Sequence, residues 1–176
     1  MSEENTRQPA PEQELSEILQ IRRDKLAALQ QEGRDPFTKT KFTRTAWSEE
    51  IKADYDSFAD KTISVAGRIM SKRGMGKAIF CHIKDDRGQI QLYIRADAVS
   101  EQEFADFRKY DIGDIIGVSG YVFKTKTEEI SVHVQSVVLL SKSLRPLPEK
   151  FHGMTNTELK YRQRYVDLIV NDDSRR

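Results

Sequence analysis

The chain has 176 residues, 38% of them hydrophobic and 32% charged. That allows one modest core with solvated extensions and excludes a membrane span, for which no apolar run is long enough. Net charge is only +1, yet residues 67–95 hold seven basic side chains against two acids, and residues 1–20 hold five acids against one base. This balance argues against a purely electrostatic DNA binder and favours one that adds specific contacts to charge.

In chain order, the acidic, proline-bearing start is expected to be a disordered tail over residues 1–11, without the apolar core of a secretion signal. Residues 12–32 read as a helix. Leu15, Ile18, Leu19, Leu26 and Leu29 share a face, a docking stripe rather than a cofactor site, and Gly33 sits at the C-cap. A loop with Asp35-Pro36 leads to a short helix opened at Ser48, in which Ile51, Tyr55 and Phe58 are helically spaced and Trp47 is a packing anchor.

The pattern then changes to period two. Ile63, Val65 and Ile69 predict a first strand. A flexible turn follows at Arg73-Gly74-Met75-Gly76-Lys77, and Ile79, Cys81 and Ile83 mark the inner face of a second strand. Asp85-Asp86-Arg87-Gly88 is a hairpin signal, and Ile90, Leu92 and Ile94 mark a third strand. Ser100 with Glu103 forms a capping box opening a helix to Tyr110, and residues 115–123 and 130–140 form the last two strands. After the connector Leu144-Arg145-Pro146-Leu147-Pro148, Thr155 and Glu158 predict one further helix carrying Leu159, Val166 and Ile169, which lacks a packing partner before Arg176.

The order strand, strand, strand, helix, strand, strand is that of a five-stranded Greek-key barrel of the OB fold, mainly β with flanking helices. A flat five-stranded meander is the competing architecture. The expected domains are an N-terminal helical extension over 12–60, the barrel over 61–142, and a linker with the start of a further domain over 143–176.

Strand parity points to one face. If Ile79, Cys81 and Ile83 face inward, Phe80, His82 and Lys84 face outward. If Ile90, Leu92 and Ile94 face inward, Gln91, Tyr93 and Arg95 face outward beside them, with Arg68 and Met70 flanking. OB folds bind oligonucleotides on this side. An exposed ring can stack a base, an amide can read a base edge, and cations hold phosphates. The competing reading has the N-terminal helices covering Phe80 and Tyr93, with Gln91 merely solvated.

Other signals carry less. Gly74-Met75-Gly76-Lys77 lacks the spacing of a phosphate-binding loop. Cys81 and His82, adjacent on a strand, face opposite ways and make no catalytic dyad. Asp85-Asp86 is turn chemistry. His133 is a surface position without an assigned role. The lone cysteine fits a reducing cytosol, and no metal-ligand spacing occurs.

Several stretches carry a more specific resemblance: Arg22-Arg23-Asp24-Lys25-Leu26, the Arg73 to Lys77 turn, Phe123-Lys124-Thr125-Lys126-Thr127, the Leu144 to Pro148 connector, Lys150-Phe151-His152-Gly153, and Tyr161-Arg162-Gln163-Arg164-Tyr165-Val166-Asp167-Leu168. With them the chain resembles the N-terminal part of a bacterial-type class II lysyl-tRNA synthetase. The resemblance implies that the barrel grips the anticodon of lysine tRNA. Phe80 would stack the central uridine and Gln91 would bond its edge. Arg73 would contact the anticodon, and Arg68 a phosphate or base. Glu129 would read the first anticodon base, with neighbouring Glu128 as the competing position.

It further implies that ATP, Mg2+ and lysine are handled by a catalytic domain whose signature motifs lie beyond Arg176. This chain is then expected to bind no cofactor and to be inactive alone. The parent enzyme is expected to be a cytoplasmic homodimer and this chain a monomer. A general single-strand binder and a protein-interaction module are the alternatives of other classes.

Overall fold

The computed structural model describes residues 11–148 and 157–175. The chain divides into two compact units, residues 1–144 and 145–176. The tail over residues 1–10, Lys150-Phe151-His152-Gly153 and the Thr155 capping position lie outside the described residues.

The first unit begins with α1, Pro11–Gln31. Only its C-terminal half docks. Leu29 packs against the core and Arg22 is buried, its guanidinium donating to the Ser143 carbonyl and hydroxyl. Leu15 and Ile18 remain 47% and 41% exposed, so the expected stripe is only partly used. Two short helices follow, α2 (Ser48–Ala53) and α3 (Tyr55–Phe58). The cap of α2 is Trp47 rather than Ser48. Ser48 is instead the first helical residue, and its amide and hydroxyl both donate to the Asp85 carboxylate, at 2.7 and 2.8 Å.

Five strands, β1 (Thr62–Met75), β2 (Ala78–Lys84), β3 (Gln89–Arg95), β4 (Ile115–Lys124) and β5 (Ile130–Ser141), close into a barrel in the order β1-β2-β3-β5-β4. Every pairing is antiparallel except β3 with β5. The closed barrel rules out the flat meander and leaves no open edge. Inward-facing Val65, Ile83, Ile90, Leu92, Ile116 and Val132 are essentially inaccessible to solvent. The α4 helix (Glu101–Lys109) adds Phe104 and Phe107 to this core. Its capping box forms as expected: Glu103 N donates to Ser100 Oγ and Ser100 N to the Glu103 carboxylate, both at 3.1 Å. At its other end the Lys72 ammonium donates to the carbonyls of Phe107, Arg108 and Tyr110, joining the Tyr110 amide, which also donates to the Phe107 carbonyl.

Two expectations about β1 change. The strand runs on to Met75, so the flexible turn shrinks to Gly76-Lys77, with Gly76 supplying the positive φ of +59°. A bulge between Ile69 and Ser71 breaks the alternation, and Met70 is buried rather than flanking the outer face.

In the second unit the sequence predicts one helix. The structure has α5 (Thr157–Arg162) and α6 (Arg164–Val170), separated where Gln163 leaves helical geometry at φ −122°, ψ 54°.

Candidate nucleic-acid interface

Parity on β2 and β3 is as expected. Ile79, Cys81, Ile83, Ile90, Leu92 and Ile94 are buried, while Phe80, His82, Gln91 and Tyr93 are partly exposed. The ladder gathers these outward side chains into two rows. One runs Arg73, Phe80, Tyr93, His133, Tyr121 across β1, β2, β3, β5 and β4. The next runs Ser71, His82, Gln91, Ser131, Phe123.

The first row is an aromatic belt. Phe80 and Tyr93 lie 4.9 Å apart between ring centroids. Tyr93 meets His133 edge-on at 5.3 Å, and His133 stacks on Tyr121 at 4.8 Å with only 8° between planes. Burial, with a push from Arg95, holds the His133 pKa below its ordinary value, so the imidazole is neutral at pH 7. The Arg73 guanidinium lies 5.8 Å from the Phe80 ring centre and is otherwise exposed.

Gln91 is held from one side. The buried Ser131 hydroxyl donates to Gln91 Oε1 at 2.9 Å. Glu129 begins the approach to β5. Its amide donates to Thr125 Oγ1 and its carbonyl accepts from the Thr125 amide, while no side chain among the described residues pairs its carboxylate. Glu128, beside it, has φ +61° and an 81% exposed side chain, 3.8 Å from the Lys124 ammonium. Arg68 is set apart from this group. It pairs with Lys84, two residues along the strand from His82, and its guanidinium donates to the Gly113 carbonyl at 2.9 Å. Burial lowers its pKa. The structure thus brings Phe80, Arg73 and Gln91 together with Glu129 at the rim, and leaves Arg68 outside.

Phe80, Gln91 and Tyr93 keep partial exposure. Polar contacts from α1 reach Asp111 and Ser143, and contacts from α2 reach Asp85 and Arg87. Sequence reading missed Tyr121, Phe123, Ser131 and His133 as parts of the face. Parity on the last two strands points the same residues outward. The signal lacking was the β3–β5 pairing, a long-range register that no local pattern encodes.

A closed five-stranded barrel with a plugging helix and an outer face of rings, amide and cation is the OB-fold class of nucleic acid binding domain, and residues 63–140 match that family. Along its length the chain is also similar to lysine--tRNA ligases. It is 50% identical over 175 residues to that of Clostridium tetani, which covers 99% of this chain and 35% of that protein. With that of Clostridium acetobutylicum it shares 51% over 168 residues, 96% of this chain and 33% of the relative. With that of Clostridium novyi it shares 50% over 162 residues, 92% and 32%. The chain is thus similar, over nearly all of its own length, to part of these lysine--tRNA ligases, and spans about a third of their length.

Proposed function

We propose that this chain recognises the anticodon of a lysine tRNA, as the RNA-reading part of a lysine--tRNA ligase. The observation that carries the reading is the juxtaposition of Phe80, Arg73 and Gln91 on one partly exposed face of the barrel. Phe80 stacks the central base, a contribution of roughly 1–3 kcal/mol per base on such a platform. Gln91 bonds that base's Watson–Crick edge. Arg73 sits beside the ring as the phosphate or base contact. Glu129 reads the first anticodon base. Its carboxylate, unpaired among the described residues, and its fixed backbone favour it over Glu128, whose side chain leans towards Lys124. Arg68 is the weakest member, because its guanidinium is engaged by Gly113. Should it contact RNA, it does so at a neighbouring nucleotide.

Attachment of lysine, with its ATP and Mg2+, falls to the portion of such an enzyme that this chain does not match. The cytoplasm as location and the parent's homodimeric state follow from the same family reading. No described helix is long and apolar enough to cross a membrane.

The test is binding of an isolated lysine anticodon stem-loop against one whose central uridine is changed. Tighter binding of the unaltered loop is expected. Equal affinity, with oligo(dT) bound as well, would favour a general single-strand binder instead.

A further inference from the structure

The Gln91 side chain is ambiguous by its own chemistry. Its amide has an acceptor oxygen and a donor NH2, and a 180° flip exchanges them with no change of shape. A free glutamine facing a pyrimidine therefore reads either pattern. The end that faces outward depends on what holds the other end.

Ser131 supplies that hold. It pairs with Gln91 across the parallel β3–β5 ladder and with Phe123 across β4–β5, so its hydroxyl sits between them and is wholly inaccessible. The hydroxyl has one proton and two acceptors in reach, Gln91 Oε1 at 2.9 Å and the Glu129 carbonyl at 3.2 Å. The Glu129 carbonyl already accepts from the Thr125 amide at 3.0 Å. Gln91 Oε1 is the nearer acceptor and has no other donor among the described residues. The geometry gives the proton to Gln91 Oε1, the nearer of the two acceptors, and with that orientation the amide NH2 is the end presented outward.

We propose that Ser131 is a positioning residue that makes Gln91 a donor-only reader, so the central base must offer an acceptor at position 4 of its Watson–Crick edge. This rests on the anticodon reading above. Uracil presents O4 there as an acceptor. Cytosine presents an amino group at the same place, which would set donor against donor. Ser131 thus selects the keto pyrimidine without touching the RNA.

The experiment measures affinity of the full 176-residue chain for two stem-loops differing only in a central uridine or cytidine. The wild type is expected to prefer uridine by roughly tenfold or more, the effect of one buried donor left without an acceptor. Ser131→Ala frees the amide to flip, so the ratio should fall towards one, with a smaller loss of affinity for the uridine loop. Gln91→Glu is the second variant. Its carboxylate still accepts from Ser131 but presents an acceptor outward, so the preference should turn towards cytidine. A wild-type ratio retained in Ser131→Ala overturns the proposal. Should Ser131→Ala fail to fold, as judged by its thermal melt, Gln91→Glu decides alone, and a continued preference for uridine overturns the proposal. Equal wild-type affinity for the two loops would instead overturn the anticodon reading itself, and this inference with it.

Discussion

Arg73 stands directly opposite Phe80 in the β1–β2 ladder, its guanidinium 5.8 Å from the centre of the ring. The pair divides two kinds of binding energy between neighbouring side chains. The ring offers stacking, which is indifferent to salt. The cation offers counterion release, which is not.

Replacing Phe80 with Ala should therefore weaken stem-loop binding by roughly 1–3 kcal/mol while leaving the salt dependence unchanged. Arg73→Gln should do the reverse, reducing the slope of log affinity against log salt by about one unit if it meets a phosphate. Fluorescence titration at two salt concentrations separates them. Identical slopes for wild type and Arg73→Gln would remove Arg73 from the phosphate contacts.

Gly120 is required by the close approach of β4 to β5. A Cβ there would stand 2.0 Å from the His133 carbonyl oxygen, and backbone cannot easily yield. Gly120→Ala should destabilise the barrel by about 3 kcal/mol or prevent its closure. A urea midpoint close to the wild type would show that the ladder is looser than described.

Lys142 is almost wholly buried and bridges Asp111 at 2.7 Å and Asp114 at 2.9 Å. Lys142→Met would leave the inaccessible Asp114 carboxylate without its ammonium, a loss of about 3–5 kcal/mol for a broken buried pair. Chemical denaturation measures it. The double variant Lys142→Met with Asp114→Asn should recover part of the loss, because the orphaned charge is gone.

Asp111 predicts the acid limb of stability. Burial pushes its carboxyl up, but hydrogen bonds from the Lys142 and Lys25 ammoniums more than reverse this and hold it below the usual range. A carboxyl held low in the folded state stabilises above its unfolded value, near ~3.9, and that stabilisation is lost as pH falls through the folded value. Asp111→Asn should lower stability at pH 7 and flatten its decline below about pH 4. Melts between neutral pH and the acid limb test this, and parallel curves for the two proteins would count against it.

Much of this molecule was legible because the barrel strands alternate cleanly. Ile79, Cys81 and Ile83 against Phe80 and His82 needed only the two-residue period. The Ser100–Glu103 box was equally local. What escaped depended on distant chain. Met70 is buried beside a bulge whose register is set by β2. Ser131 and His133 joined the site because β3 and β5 pair in parallel across a long connection. Arg68 read as flanking the outer face, yet its engagement by Gly113 comes from a turn forty-five residues further along the chain. Local alternation fixes which way a side chain points, and tertiary pairing fixes what it meets.

The carboxylate of Asp85 has a consequence for how the unit comes apart. Its two oxygens take protons from the Arg87 and Gly88 amides in the β2–β3 turn and from the Ser48 amide and hydroxyl at the start of α2. One side chain thus shapes a hairpin and anchors a helix. The helical prelude and the barrel should accordingly melt as one cooperative body, and amide exchange slow in the turn should be slow at the beginning of α2 as well.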